Sequence, residues 1–244
     1  MKRFLAISLL VVMLVSCLFL TSCARKVKNI DGQTPKEAYE KAVTSLETID
    51  KYTVKLSIDS RTQLLFIPIY KITLNDFYTY AYDGNNQHFY IAEETLELAE
   101  SDPDIADILY GYDENVIYYN NVCYVNNSGY KYKYESSYLP YGDSEYEEMV
   151  KDLIDSGVGK YKCYKKGDFY YFEITNKDED EMLMDGAQEE ITTVYFNEDG
   201  LIETIIIESK YSPLVKVTIR ADYSYGEDAE DVLPPSDIEN YPTR

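Results

Sequence analysis

The first periodic stretch follows Thr34. Ala38, Ala42, Val43, Leu46 and Ile49 recur at helical spacing. Thr34 stands as the N-cap, with Pro35 at the first helical position and Glu37 at the third. That is a capping box, and it predicts a helix over 35–49. The period then changes from 3.6 to 2. Tyr52, Val54, Leu56 and Ile58 alternate with Thr53, Lys55, Ser57 and Asp59, a strand with one buried and one wet face. Further strands are predicted over 64–82, where Pro68 marks an edge, a bulge or a break, and over 87–98. Short strands follow at 115–119, 122–126, 130–135, 160–165 and 168–175, then longer ones at 190–197, 201–211 and 214–223. The links are short: Asp83-Gly84-Asn85-Asn86, Asn120-Asn121, Asn127-Ser128-Gly129, Lys166-Gly167 and Asn197-Glu198-Asp199-Gly200. Links of this length favour an antiparallel meander over parallel crossovers.

Two more helices interrupt the strands. Ser101 can cap a short one holding Ile105, Ile108 and Leu109, closed by Gly111. Ser144 and Glu147 form a second capping box, and Tyr146, Met149, Val150, Leu153 and Ile154 make its apolar stripe as far as Gly157. Asp178–Asp185 reads as an acidic loop or a short helix. The stretch 227–244 has no apolar period, carries Pro234-Pro235 and reads as a loose tail. The pattern predicts an α+β chain, mostly antiparallel β, with a single domain over 34–226.

The chain starts with Met1-Lys2-Arg3, then an apolar run from Phe4 to Leu20, then Thr21-Ser22-Cys23. A basic start, an apolar middle and small residues before a cut are the parts of a secretory signal over 1–22. The run is 17 residues, short of the roughly 20 that span about 30 Å of hydrocarbon. Leu20-Thr21-Ser22-Cys23 resembles the bacterial lipobox. The resemblance implies cleavage between Ser22 and Cys23 and lipidation of Cys23, with palmitate among its acyl chains. The alternatives are an uncleaved signal anchor or secretion with Cys23 free. Residues 23–33 then read as a lipidated tether on the outer side of the cell membrane. Arg25, Lys26 and Lys28 stand beside the anchor, where each base near an anionic surface contributes about 1 kcal/mol.

Charge narrows the partners. Acids outnumber bases 44 to 23, for a net charge of −21. Nucleic-acid binding needs basic surface against phosphates, so nucleic acid is not an expected partner. A monomer held near a membrane is expected. With one histidine, His88, and no tryptophan, a multi-histidine metal site is excluded. No G-x-S-x-G accompanies His88. Gly157-Val158-Gly159-Lys160 lacks the first glycine and the hydroxyl of a phosphate loop. Asp102, Asp104 and Asp107 lack the spacing of a calcium loop. No catalytic residue, metal or cofactor is expected. Cys123 and Cys163 lie in strand-like stretches. An exported compartment permits a disulfide between them, and two separate buried thiols are the alternative. The 27 tyrosines suit a half-buried sheet face, or a platform for a glycan or a protein partner.

The order of lipobox, tether, capped helix and meander resembles the LolA/LppX-type lipoproteins of bacterial envelopes. The supporting stretches are 38–58, 116–134 and 190–226, closed by Ala221-Asp222-Tyr223-Ser224-Tyr225-Gly226-Glu227. The resemblance implies a strongly curved, incompletely closed sheet with about three helices on its concave side. It further implies a non-enzymatic protein that carries a lipid or other amphiphile in an apolar cavity. Tyr52, Val54, Leu56, Ile58, Val215, Val217 and Ile219 would line such a cavity. The same alternation is equally expected of a solid core, in which case the tyrosine-rich face would serve as an interaction or sensor surface.

Overall fold

A computed structural model of the chain describes residues 24–46, 48–64, 67–110, 113–137, 152, 160–166, 169–177, 184 and 186–244, with Leu64 and Pro68 as backbone alone. The elements in chain order are β1 (Arg25–Val27), α1 (Pro35–Leu46), β2 (Lys51–Leu64), β3 (Ile67–Asp83) and β4 (Asn86–Ile91). Next come α2 (Glu93–Ala99), α3 (Pro103–Leu109), β5 (Asn115–Tyr119), β6 (Val122–Asn127) and β7 (Tyr130–Glu135). The last five are β8 (Lys160–Lys166), β9 (Phe169–Asn176), β10 (Glu189–Phe196), β11 (Ile202–Lys210) and β12 (Val215–Tyr225).

All twelve strands form one curved, unclosed sheet in the order β1-β8-β9-β10-β11-β12-β2-β3-β4-β5-β6-β7. Every neighbouring pair is antiparallel. The expected mostly antiparallel α+β class is borne out. Tight turns set the meander. Asn120 and Asn121 have φ of 51° and 64°, and Ser128 and Gly129 have 50° and 76°. Two successive positive φ values define the primed turn whose twist matches that of the flanking strands.

Parity along the strands defines two faces. Val54, Leu56, Ile205, Ile207, Ala221 and Tyr223 share the inner face by register. They join one buried cluster with Phe172, Ile174, Val194 and Phe196. The helices add Ala38, Tyr39, Ala42 and Leu46 from α1 and Ile105 and Leu109 from α3. The Tyr39 ring meets Phe172 edge-on, centroids 6.3 Å apart, and Tyr39 was missing from the predicted stripe. Fully burying one such side chain contributes about 1.5–3 kcal/mol. The α1 start matches its prediction. The Thr34 N–H donates to Glu37 Oε2 at 2.8 Å, and the Glu37 N–H donates to the Thr34 hydroxyl at 3.3 Å. The β2–β3 ladder slips between Leu56 and Ile58, where Asp76 takes φ of 48° and its N–H donates to Ser57 Oγ. This irregularity lets Phe77 enter the inner cluster. Bulges of this kind bend a strand and curve its sheet.

Several expectations need correction. The arm predicted over 87–98 ends as strand at Ile91, and Glu93–Ala99 is a helix. The alternation Thr95-Leu96-Glu97-Leu98 mimicked a strand there. The next helix is capped by Asp102, whose carboxylate accepts from the Asp104 N–H at 3.0 Å. Ser101 donates instead to the Leu98 carbonyl. The expected tether is part of the sheet, since Arg25–Val27 pair with Cys163–Lys165 and Ile30 is buried. The predicted helix over 145–156 lies outside the described residues apart from Asp152, as does the acidic stretch 178–185 apart from Met184.

The expected loose tail is a strap. Val232 and Tyr241 bury themselves against Ala81, Ile117 and Tyr124 on the outer face of β3, β5 and β6. Lys51 pairs with Asp231 at 2.5 Å, Lys55 with Glu230 at 2.8 Å and Lys131 with Asp237 at 2.5 Å. The Lys133 N–H then donates to the Pro242 carbonyl, and the Arg244 N–H donates to the Lys133 carbonyl. Tyr241 is 5 % exposed, with its ring edge-on to Tyr124 at 5.5 Å. Truncating a buried aromatic of this size costs about 2–4 kcal/mol. Tyr241→Ala is expected to lower the unfolding free energy by that amount in urea titration. A change under about 0.5 kcal/mol would show that the strap is not packed.

Candidate functional site

The seven expected lining residues divide into three groups. Val54 and Leu56 are fully inside the packed cluster, each 5 % exposed. Tyr52, Ile58 and Ile219 pack against its margin. Val215 and Val217 are half-buried and lie outside it. The inner face is therefore filled along β2 near Leu56 and open toward the far ends of β2 and β12. There Ile219 stands opposite Ile58, and Val217 opposite Ser60. The row runs on to the β2–β3 and β11–β12 hairpins, which the Gln63 N–H joins by donating to the Leu214 carbonyl at 2.7 Å. Ile67, Ile69 and Leu214 are exposed there.

Helices flank this open region. The Tyr70 hydroxyl donates to Asp104 on α3, and its pKa is pushed up to about 12 by that carboxylate. A depression of about 560 Å³ lies between β3 and α2, lined by Leu74, Asn75, Thr95 and Leu98 among others. Another, of about 580 Å³, lies on the opposite, outer face at the hairpin ends, lined by Asp59, Arg61, Glu208, Lys216 and Leu214 among others. Deeper on the inner face stands Glu190, 1 % exposed. It accepts hydrogen bonds from the Ser209 hydroxyl at 3.0 Å and the Met184 N–H at 3.2 Å.

The tyrosines do not gather on one face. By register Tyr52, Tyr78, Tyr80 and Tyr82 point inward with Phe89. Tyr164, Tyr171 and Tyr195 form an outward ladder across β8, β9 and β10, with successive centroids 4.9 Å apart. A single tyrosine-rich outer face is thus replaced by an inner aromatic layer and one short outer ladder.

Of the two arrangements open to the cysteines, the separate buried thiols are the one found. Cys123 and Cys163 are free and buried. They belong to different clusters, and eight strands separate β6 from β8. Burial raises both thiol pKa values. Ser22 and Cys23 lie outside the described residues.

His88 sits on the outer face of β4 between Ala81 and Ile117, with its ring 4.7 Å from Tyr90. Burial pushes its pKa below the ordinary value, and Nε2 has no hydrogen-bond partner among the described residues. The adjacent Glu230 belongs to the strap. It is engaged by Lys55 and accepts from the Tyr90 hydroxyl at 2.8 Å. The geometry is that of a buried polar fastening. No group of three or more His, Cys, Asp or Glu residues able to hold a metal occurs among the described residues. None of their helices is long and apolar enough to cross a membrane.

No family model and no curated protein matches the chain. Among solved structures it is similar to the ywiB protein from Bacillus subtilis, at 10% identity and a TM-score of 0.15, covering 72% of this chain and 94% of that one. It is also similar to a DUF1329 family protein from Desulfovibrio piger ATCC 29098, at 10% identity and a TM-score of 0.18, covering 80% and 95%. Likeness at these scores carries no functional argument.

The fastening predicts a pH dependence. Burial raises the Glu230 pKa, but hydrogen bonds from Lys55 and Tyr90 outweigh it and hold the carboxyl below its ordinary 4.5. A depressed carboxylate pKa stabilises the fold above the unfolded value, and that stabilisation is lost as pH falls through the folded value. Replacing Glu230 with Gln is therefore expected to cost about 1 kcal/mol at pH 7. The difference from the parent chain should shrink toward zero below pH 4.5. A difference that stays constant or grows on acidification, read by urea titration, would contradict the ionised fastening.

Proposed function

We propose that this chain is a membrane-anchored, non-enzymatic envelope lipoprotein that binds the apolar part of a lipid or other amphiphile on its open inner face. The observation that carries the reading is the row Ile58, Val215, Val217 and Ile219. It is left half-buried beside a filled core, and exposed Ile67 stands at the hairpin end of the same face, opposite Leu64. A ligand laid on this row would complete a burial that the helices complete elsewhere. The anchor is supported by Leu20-Thr21-Ser22-Cys23 directly after the apolar run. The non-enzymatic reading is supported by the surroundings of His88, whose neighbour Glu230 is held in an ion pair. The sequence resemblance to LolA/LppX-type lipoproteins agrees with both.

One observation favours a second reading. The filled core around Leu56, Phe172 and Ile205 suits a solid interaction module, with the outer ladder Tyr164, Tyr171 and Tyr195 as its contact.

Native mass spectrometry and solvent extraction of protein purified without detergent decide between them. Amphiphile is expected to co-purify and to fall at least tenfold in Val217→Glu. Because Val217 is half-buried, that variant should keep its melting temperature within about 4 °C. Leu56→Glu would instead unfold the core. Absence of bound amphiphile, or full retention by folded Val217→Glu, would favour the interaction module. For the anchor, Cys23→Ala should abolish lipidation, and a protein that keeps the same lipidated mass would refute the assignment.

A further inference from the structure

The basic residues of this acidic chain are unevenly used. Lys51, Lys55, Arg61, Lys71, Lys131, Lys177, Lys216 and Arg220 each form an ion pair with a carboxylate. At one edge of the sheet the pattern differs. Arg25 and Lys26 on β1 and Lys160, Lys162, Lys165 and Lys166 on β8 are brought together by the pairing of Arg25 with Lys165 and Lys26 with Tyr164. Lys28 follows directly. Seven of the chain's 23 basic residues thus sit on two adjacent strands and the residue beside them. Arg25, Lys26, Lys28, Lys160, Lys162 and Lys166 are exposed and enter no ion pair among the described residues. Lys165 lies 4.6 Å over the Tyr170 ring. Glu173, the acid of β9, stands opposite Lys162. Aromatics are interleaved with the bases, and Tyr161 and Phe169 are 36 % and 41 % exposed.

We propose that this β1–β8 edge docks on an anionic phospholipid surface and sets the orientation of the domain on the membrane. Rings that are part apolar and part polar, alternating with long basic side chains, suit the headgroup region of a bilayer. Each base near an anionic leaflet multiplies binding by about fivefold. The acids of β10 and the strands beyond it do not cancel this. Strands from β10 onward stand two or more ladder spacings away, about 10 Å, which is already a screening length at physiological salt. Arg25 is two residues from Cys23, so under the lipid-anchor reading this edge is also the part of the sheet held nearest the bilayer. The docking itself requires only the charge and the aromatic rings.

The test is lysine acylation footprinting of the mature protein in vesicles of phosphatidylcholine alone or with 30 % phosphatidylglycerol. Reactivity of Lys26, Lys28, Lys160, Lys162 and Lys166 is expected to drop about fivefold or more in the anionic vesicles. It should recover in 0.5 M NaCl, while Lys36 and Lys216 stay unchanged. The triple variant Lys160→Gln, Lys162→Gln, Lys166→Gln, at exposed positions, should lose the protection of Lys26 and Lys28. If Cys23 carries no lipid, which its mass reveals separately, the same vesicles added to the unlipidated chain should give the same footprint. Equal reactivity in the two compositions would overturn the proposal. So would protection by a soluble anionic polymer with none by anionic vesicles.

Discussion

The fold depends on the pairing of β2 with β12. Eleven residue pairs run from Val215 opposite Thr62 to Tyr225 opposite Tyr52, and each assigns its two side chains to one face. This ladder joins a half built of β1 and β8–β11 to a half built of β3–β7. A slip of one residue by β2 would send Val54 and Leu56 outward and Lys55 inward, and the same slip by β12 would send Ala221 outward and Lys216 and Asp222 inward. Burying those charges without partners would cost more than the packing returns. Register at the centre is therefore fixed by the contrast between its two faces.

The two halves then cover themselves differently. The inner face of the β8–β12 half is closed by the helices, through Tyr39, Ala42 and Leu46. The outer face of β3, β5 and β6 is closed by the strap, through Val232 and Tyr241. Two places left less covered among the described residues are the inner row at the far hairpins and the basic edge at β1 and β8. The Cys23 end of β1 leads to the Lys165–Lys166 end of β8, whereas the exposed Ile67 and Leu214 sit at the opposite end of the strands. A domain anchored at the first would present the second away from the membrane that holds it.

Alternation and turn chemistry made most strands legible. The pattern of Tyr52 through Asp59, the Asn120-Asn121 turn and the Thr34 capping box all have local causes, and local causes can be read from a sequence. The strap was not legible because its contacts are not periodic, as single side chains such as Val232 and Tyr241 fill gaps on a distant surface. A hint was present. Val116-Ile117-Tyr118-Tyr119 is apolar on both parities, which implies cover on both faces. The helix Glu93–Ala99 was misread because its Leu96 and Leu98 alternate with Glu. The basic edge needed the β1–β8 pairing, since 25–28 and 160–166 lie far apart in the chain. The open part of the candidate site was only partly legible, because parity names a face but not what covers it.

Under the proposed function, apolar ligand meets the far inner face and not the filled core. Photo-cross-linking with a diazirine-bearing phospholipid, followed by peptide mapping of the folded protein, tests it most directly. Label is expected on Val215–Ile219 and on the residues around Ile58, with none on Val54, Phe172 or Ile205. Label confined to the outer face around Arg220 and Tyr195, or none above a denatured control, would contradict it.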